Sequence, residues 1–183
     1  MAKRKNKIVR KKQSKLFQIV GILLIIGLSL YLVFLNFLQQ NNNEKSKVKA
    51  YTSIDFVKNG ELTFLSSAEE YISKIDIEIA EDDDSRENGL MYRDKMKADR
   101  GMFFVFPFDS MQSFWMRYTL IPLDIIFVNS QNEIVTIHKD AVPFDEEGRY
   151  ASTKPAQFVI EVNAGYTDSL GINEGDKIVW RRN

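Results

Sequence analysis

Asp124 is the residue in this chain best placed to do chemistry. Ile126 and Val128 fall on its side of an alternating segment, so its carboxylate is expected to be partly buried. A buried charge needs a partner or destabilises the fold by several kcal/mol. Arg93, Arg117 and the Thr119 hydroxyl are the candidates for that partner. Two readings follow. In one, a polar site is set in an aromatic pocket, with Trp115 stacking on a small ligand and Asp124 or Arg93 orienting it. In the other, Asp124 makes a structural ion pair or caps backbone groups beside Pro122. Glu161 raises the same question. Phe158, Ile160 and Val162 claim the inward face of its segment, which predicts that Glu161 points to water. Were it instead to converge with Asp124, two carboxylates could serve as acid and base in glycosidic cleavage.

Other chemistries are poorly provided for. The chain has no cysteine and a single histidine, His138, so neither a thiol nucleophile nor a familiar zinc ligand set can be assembled. His138 reads as structural or solvated. The acidic run Glu81-Asp82-Asp83-Asp84 lacks the spacing and glycine of a calcium loop and reads as a solvated lead into a helix. Met91, Met96, Met102, Met111 and Met116 could suit Cu(I), but methionines among this many aromatics read as core filler. Residues 171–177 contain glycines without the spacing of a phosphate-binding loop. No cofactor or metal is expected, and the chain reads as non-catalytic.

The elements that must carry these residues are mostly strands. Residues 74–80 alternate, with Ile75, Ile77 and Ile79 on one side and Asp76 and Glu78 on the other. Asn59-Gly60 between two apolar runs predicts a tight hairpin turn. Further strands are expected at about 101–106, 112–117, 123–128, 133–139, 156–162 and 177–181, with a turn or short helix near 166–170. Asp84 followed by Glu87 fits a capping-box variant, predicting a short helix over about 85–93. In 101–106, Met102, Phe104 and Phe106 face one way and Phe103 and Val105 the other, so both faces should be covered. Seven or eight short strands point to a mainly β domain, a compact β-sandwich or barrel-like fold with one or two short helices.

Upstream, residues 16–38 form a run of 23 without a charge, 17 of them Leu, Ile, Val or Phe. That length suffices for a helix to cross a hydrocarbon core of about 30 Å. Eight basic and no acidic residues precede it, which predicts an uncleaved, single-pass anchor with its N-terminus in the cytoplasm. The rest of the chain then carries 17 basic against 25 acidic residues, a net of −8 hidden by the overall zero, and is a poor fit to nucleic acid. The expected organisation is a basic tail at 1–15, the span at 16–38, a polar linker at 39–50 and an extracytoplasmic β domain at 51–183.

Several ordered motifs carry a family pattern: Arg86, Gly89-Leu90-Met91, Arg93, Gly101-Met102-Phe103-Phe104-Val105-Phe106, Phe114-Trp115-Met116, Thr119, Pro122-Leu123-Asp124 and Phe127. Pro155-Ala156, Val159-Ile160-Glu161-Val162 and Gly175-Asp176 extend it. Over about residues 75–180 the chain resembles the prokaryotic family called domain of unknown function 192. The resemblance implies a compact, often exported β-rich domain and brings no established reaction. Tyr118 stands where that family usually has Asn, which leaves any role of the amide open, and Ser85 stands where an acid commonly precedes the family Arg, a difference expected to touch only helix capping. The leading expectation is a membrane-anchored binding or accessory module for an envelope component or partner protein. Its candidate ligand-binding residues are Arg93, Trp115, Arg117, Thr119, Asp124 and Glu161. The alternative is a carboxylate-dependent hydrolase of envelope glycans.

Overall fold

Met102, Phe104 and Phe106 do face one way and Phe103 and Val105 the other, and the strand that carries them lies mid-sheet with an apolar cluster on each side. The structure, a computed structural model, describes residues 23–36, 39, 55–145 and 147–183. The chain divides into two units, residues 1–49 and 50–183.

In the first unit, residues 23–36 are helical (α1) and their side chains are exposed. Among the described residues no helix is long and apolar enough to cross a membrane. The basic tail, residues 16–22, 37 and 38 of the expected span, the linker residues 40–50 and residues 51–54 of the expected β domain lie outside the described residues.

The second unit is mainly β. Its strands are β1 (Gly60–Leu65), β2 (Tyr71–Ala80), β3 (Arg100–Ser110), β4 (Ser113–Phe114), β5 (Leu123–Val128), β6 (Ile134–Ala141), β7 (Tyr150–Ala151), β8 (Ala156–Asn163) and β9 (Lys177–Arg182), with helices α2 (Asp83–Asn88) and α3 (Tyr166–Leu170). Seven strands make one mixed sheet in the order β6-β5-β8-β3-β2-β1-β9, and β4 and β7 form a separate ribbon. Only β2 and β3 run parallel, because the connection between them crosses over and carries α2.

The mainly β expectation with short helices holds, but the sandwich or barrel-like arrangement expected from strand spacing is instead one mixed sheet that does not close into a barrel. The single sheet curls until its edge strands approach at one isolated bridge, Glu133 to Lys177, supported by Ile134 N donating to Asp176 O at 2.8 Å. One apolar cluster fills the inside of that curl, from Leu62 and Phe64 through Ile75, Ile77 and Phe103 to Ile160 and Ile178. The second lies on the opposite face and includes Met102, Phe104, Ile125, Phe127 and Val159. Leu90, Met116 and Ile121, from the segments flanking β4 and following α2, cover it.

Two local expectations need correction. Asn59-Gly60 is not a hairpin turn; Gly60 opens β1, and a Cβ there would lie 2.3 Å from Arg181 O, so the glycine serves the close approach of β9. The hairpin joining β1 to β2 turns instead at 66–70, where Ser66 N and Glu70 O pair at 2.8 Å. The helix α2 begins two residues earlier than expected and is shorter. Its N-cap is Asp82, whose carboxylate accepts from Ser85 N at 2.9 Å while Ser85 Oγ accepts from Asp82 N at 3.2 Å. Ser85 therefore acts in capping, as its departure from the family pattern suggested.

Candidate functional site

Trp115 follows β4 and is held from both sides. Met116, fully buried, pins the chain beneath it, and the pairing of Phe114 with Tyr150 brings Arg149 beside the indole. The guanidinium of Arg149 lies 5.2 Å and that of Arg117 5.7 Å from the Trp115 ring centroid, within the range of cation–π attraction. In front of the indole is a cleft of about 460 Å³, walled by Phe106 and Phe114 and rimmed by Gln112, Arg149 and the α2 residues Arg86 and Glu87. Arg86 is itself a fixed wall: its guanidinium donates to Glu81 O, to Val105 O at 2.9 Å and to the Asp83 carboxylate at 2.6 Å.

Behind this cleft is a niche of about 20 Å³, large enough for one water. It shares Arg86, Glu87, Phe114 and Trp115 with the cleft, and Thr119 and Glu161 line its far side. Glu161 does not point to water as the alternation of β8 predicted. It lies opposite Met102 on β3 and Ile125 on β5, and is 5% exposed. Desolvation pushes its carboxyl up from the usual carboxylate range to about 8, and the nearby charge of Arg93 offsets this only in part. No described residue donates a hydrogen bond to it.

The reason Arg93 helps so little is that its charge is shared. Its Nη1 and Nη2 donate to the two carboxylate oxygens of Glu78 at 2.7 and 2.6 Å, in a pair that is almost wholly buried, and Glu78 also accepts from Val57 N at 2.8 Å. Arg93 Nε is buried without a hydrogen-bond partner. Glu161 is thus a second acid beside one arginine and keeps its proton at neutral pH. Between pH 4.5 and about 8 the unfolded chain releases this proton and the folded chain retains it. Its contribution to stability therefore falls across that window by about 1.4 kcal/mol per pH unit.

Asp124 belongs elsewhere. Its neighbour Ile125 pairs with Glu161, so Asp124 projects from the opposite face of the sheet. There it is fully buried and accepts from Thr167 N at 2.9 Å, Thr167 Oγ1 at 2.7 Å, Asp140 N at 3.1 Å and Gly165 N at 3.2 Å. It caps backbone groups at the start of α3, and none of Arg93, Arg117 or Thr119 is its partner. Asp176, in the last of the family motifs, has the same task, accepting from Ser67 N and Asn173 N at 2.9 and 2.8 Å. Of the six residues expected to form the site, Trp115, Thr119 and Glu161 meet around one opening, Arg93 and Arg117 flank members of that group, and Asp124 is apart. His138 is enclosed by the Phe127 and Tyr150 rings and donates to Ala151 O at 2.8 Å.

Sequence reasoning passed over Arg149, Gln112 and Glu87 as site residues. Arg149 reaches Trp115 only through the β4–β7 register, which no local pattern announces. Arg86 and Phe114 stood in the family motifs without an assigned role. Tyr118 has φ 56°, and Tyr92, whose ring stacks on it at 5.2 Å, has φ 63°. Left-handed backbone suits Asn, so the family's usual residue there fits the backbone whatever its amide does.

Comparison with known proteins agrees with this scaffold. The family model for DUF192, described as "Uncharacterized ACR", matches residues 64–180. A UPF0127 protein of Pyrococcus furiosus is 28% identical over 114 residues, covering 60% of this chain and 90% of that protein. A crystal structure from Sinorhizobium meliloti, described as a candidate transcription regulator, has a TM-score of 0.64 and 34% identity, covering 69% of this chain and 98% of that one. A protein of unknown function from Novosphingobium aromaticivorans has a TM-score of 0.61 and 35% identity, covering 66% of this chain and 84% of that one.

Replacing Asp124 by Ala leaves the buried amide and hydroxyl of Thr167 and the less buried amides of Asp140 and Gly165 without their acceptor. The expected loss is at least about 3 kcal/mol of unfolding free energy in urea titrations. Trp115 emission below the transition should remain that of the wild type, because the two residues lie on opposite faces of the sheet. A variant of wild-type stability would contradict the capping role.

Proposed function

The chain belongs to the DUF192 family, and we propose that it is a single-pass, membrane-anchored binding module that holds an acidic saccharide of the cell envelope in the Trp115 cleft. The observation that carries this reading is the Trp115 indole in the wall of an open cleft of about 460 Å³, with the guanidinium of Arg149 beside the ring and Arg86 across the same lining. Ligand sites of a few hundred Å³ commonly combine aromatic walls with a few fixed polar groups. A pyranose lays its C–H face against an indole, Gln112 and Glu87 suit hydroxyls, and the arginines suit a carboxylate on the sugar.

The location rests on the apolar run at 16–38 and the eight basic residues before it, which favour an inserted helix with the β unit outside the cytoplasm. The Sinorhizobium relative's description suggests nucleic acid as another ligand. The net of −8 after residue 15 weighs against a phosphate backbone as partner. The glycan-hydrolase alternative required Asp124 and Glu161 to flank one bond. Their positions on opposite faces of the sheet remove that arrangement, so binding is the better reading.

Titrating the full chain with the N-acetylglucosaminyl–N-acetylmuramyl disaccharide should change the emission of Trp115, read in a Trp180→Phe background. Trp115→Ala should abolish saturable binding in calorimetry. Unchanged binding by that variant would exclude the cleft. A phosphatase reporter fused after Asn183, of a type active only outside the cytoplasm, should be active; activity confined to a cytoplasmic reporter would overturn the proposed topology.

A further inference from the structure

The niche behind Trp115 is unlike the rest of the core. Its Glu161 is 5% exposed, shows no hydrogen bond with any described residue, and forms part of the lining of a space that adjoins the cleft, sharing Arg86, Glu87, Phe114 and Trp115 with it. A polar group left in this way is a cost to the fold that a ligand or a water in the niche can offset. Asp124 and Asp176, buried to a similar degree, each have several donors. The sheet therefore satisfies its structural carboxylates, and Glu161 is the exception.

We propose that the niche is a one-group subsite in which the Glu161 carboxyl exchanges hydrogen bonds with a single hydroxyl of the ligand held in the Trp115 cleft. The inference rests on the cleft reading and adds the part of the ligand that is read. A volume of about 20 Å³ takes one oxygen and excludes an acetamido or carboxylate group. A carboxylic acid donates through its O–H and accepts through its carbonyl oxygen, as a hydroxyl does in return. The selected ligand is therefore a sugar that presents a free hydroxyl past the indole edge.

The charged groups around Glu161 are Arg93 behind it, held by Glu78, and Arg86 and Glu87 of α2 across the niche; β3 and β5 oppose it with Met102 and Ile125. Arg86 and Arg93 both hold carboxylate partners, Asp83 and Glu78, so ionising Glu161 adds a negative charge beside an acidic ligand. Binding should weaken as Glu161 loses its proton near pH 8.

Calorimetry on the full chain in detergent micelles tests this with the same disaccharide at about pH 6.5 and about pH 9.5, on either side of that titration. At the lower pH, Glu161→Leu should bind about tenfold more weakly than wild type, whereas Glu161→Gln, a neutral donor and acceptor of the same size, should stay within about threefold. At the higher pH the wild-type affinity should fall toward that of Glu161→Leu, and Glu161→Gln should not follow. Wild-type affinity in Glu161→Leu overturns the subsite. Should that variant not fold, an identical pH profile for Glu161→Gln and wild type overturns it. Trp115→Ala serves as the separate control: if it binds like wild type, the cleft reading fails, whereas loss in Trp115→Ala with full binding in Glu161→Leu rejects the niche alone.

Discussion

The site depends on β8 being paired along both edges. With β3 on one side and β5 on the other, β8 cannot shift by one residue without moving every side chain to the wrong face. Glu161 is therefore held on the apolar face among Met102, Ile125 and Val159, although a carboxyl would be better solvated anywhere else. The Glu78–Arg93 fork completes the constraint. It satisfies the acid of β2 and leaves the acid of β8 beside a cation that is already committed. A carboxyl with a raised pKa and no described donor, lining the same small space as Trp115, is the result.

Much of the scaffold was legible because strand alternation is a strong signal. The bounds of β5 were read correctly, the two faces of β3 were separated, and the α3 position was found. Errors arose where a local rule met a long-range requirement. Asn59-Gly60 has the composition of a hairpin turn, yet the glycine answers the close approach of Arg181 from the far end of the chain. Curl could not be read either, since strand spacing is the same for a sandwich, a barrel and one sheet bent until its edges touch.

Glu161 shows the same limit in its sharpest form. Alternation sorts residues into two faces and assigns the polar one to water, which holds when only one face is buried. Five consecutive residues of β8, Phe158 to Val162, are buried, so the rule had no solvent side to offer. Asp124 was correctly singled out as buried, and the capping reading was the one that held. Family motifs did not separate these roles, since the residues that cap turns and those that line the cleft both lie within them. What separates them is hydrogen bonding: Asp124 accepts four bonds and Asp176 one at each oxygen, whereas Glu161 has no described donor.

The central claim concerns one proton. Carbon-13 detection of glutamate carboxyls in the full chain across the pH range, with Glu161→Gln to assign the resonance, measures it directly. The account predicts a midpoint of about 8 for Glu161. A midpoint near 4.5, the ordinary glutamate value, would show a solvated or well-partnered carboxylate and contradict it.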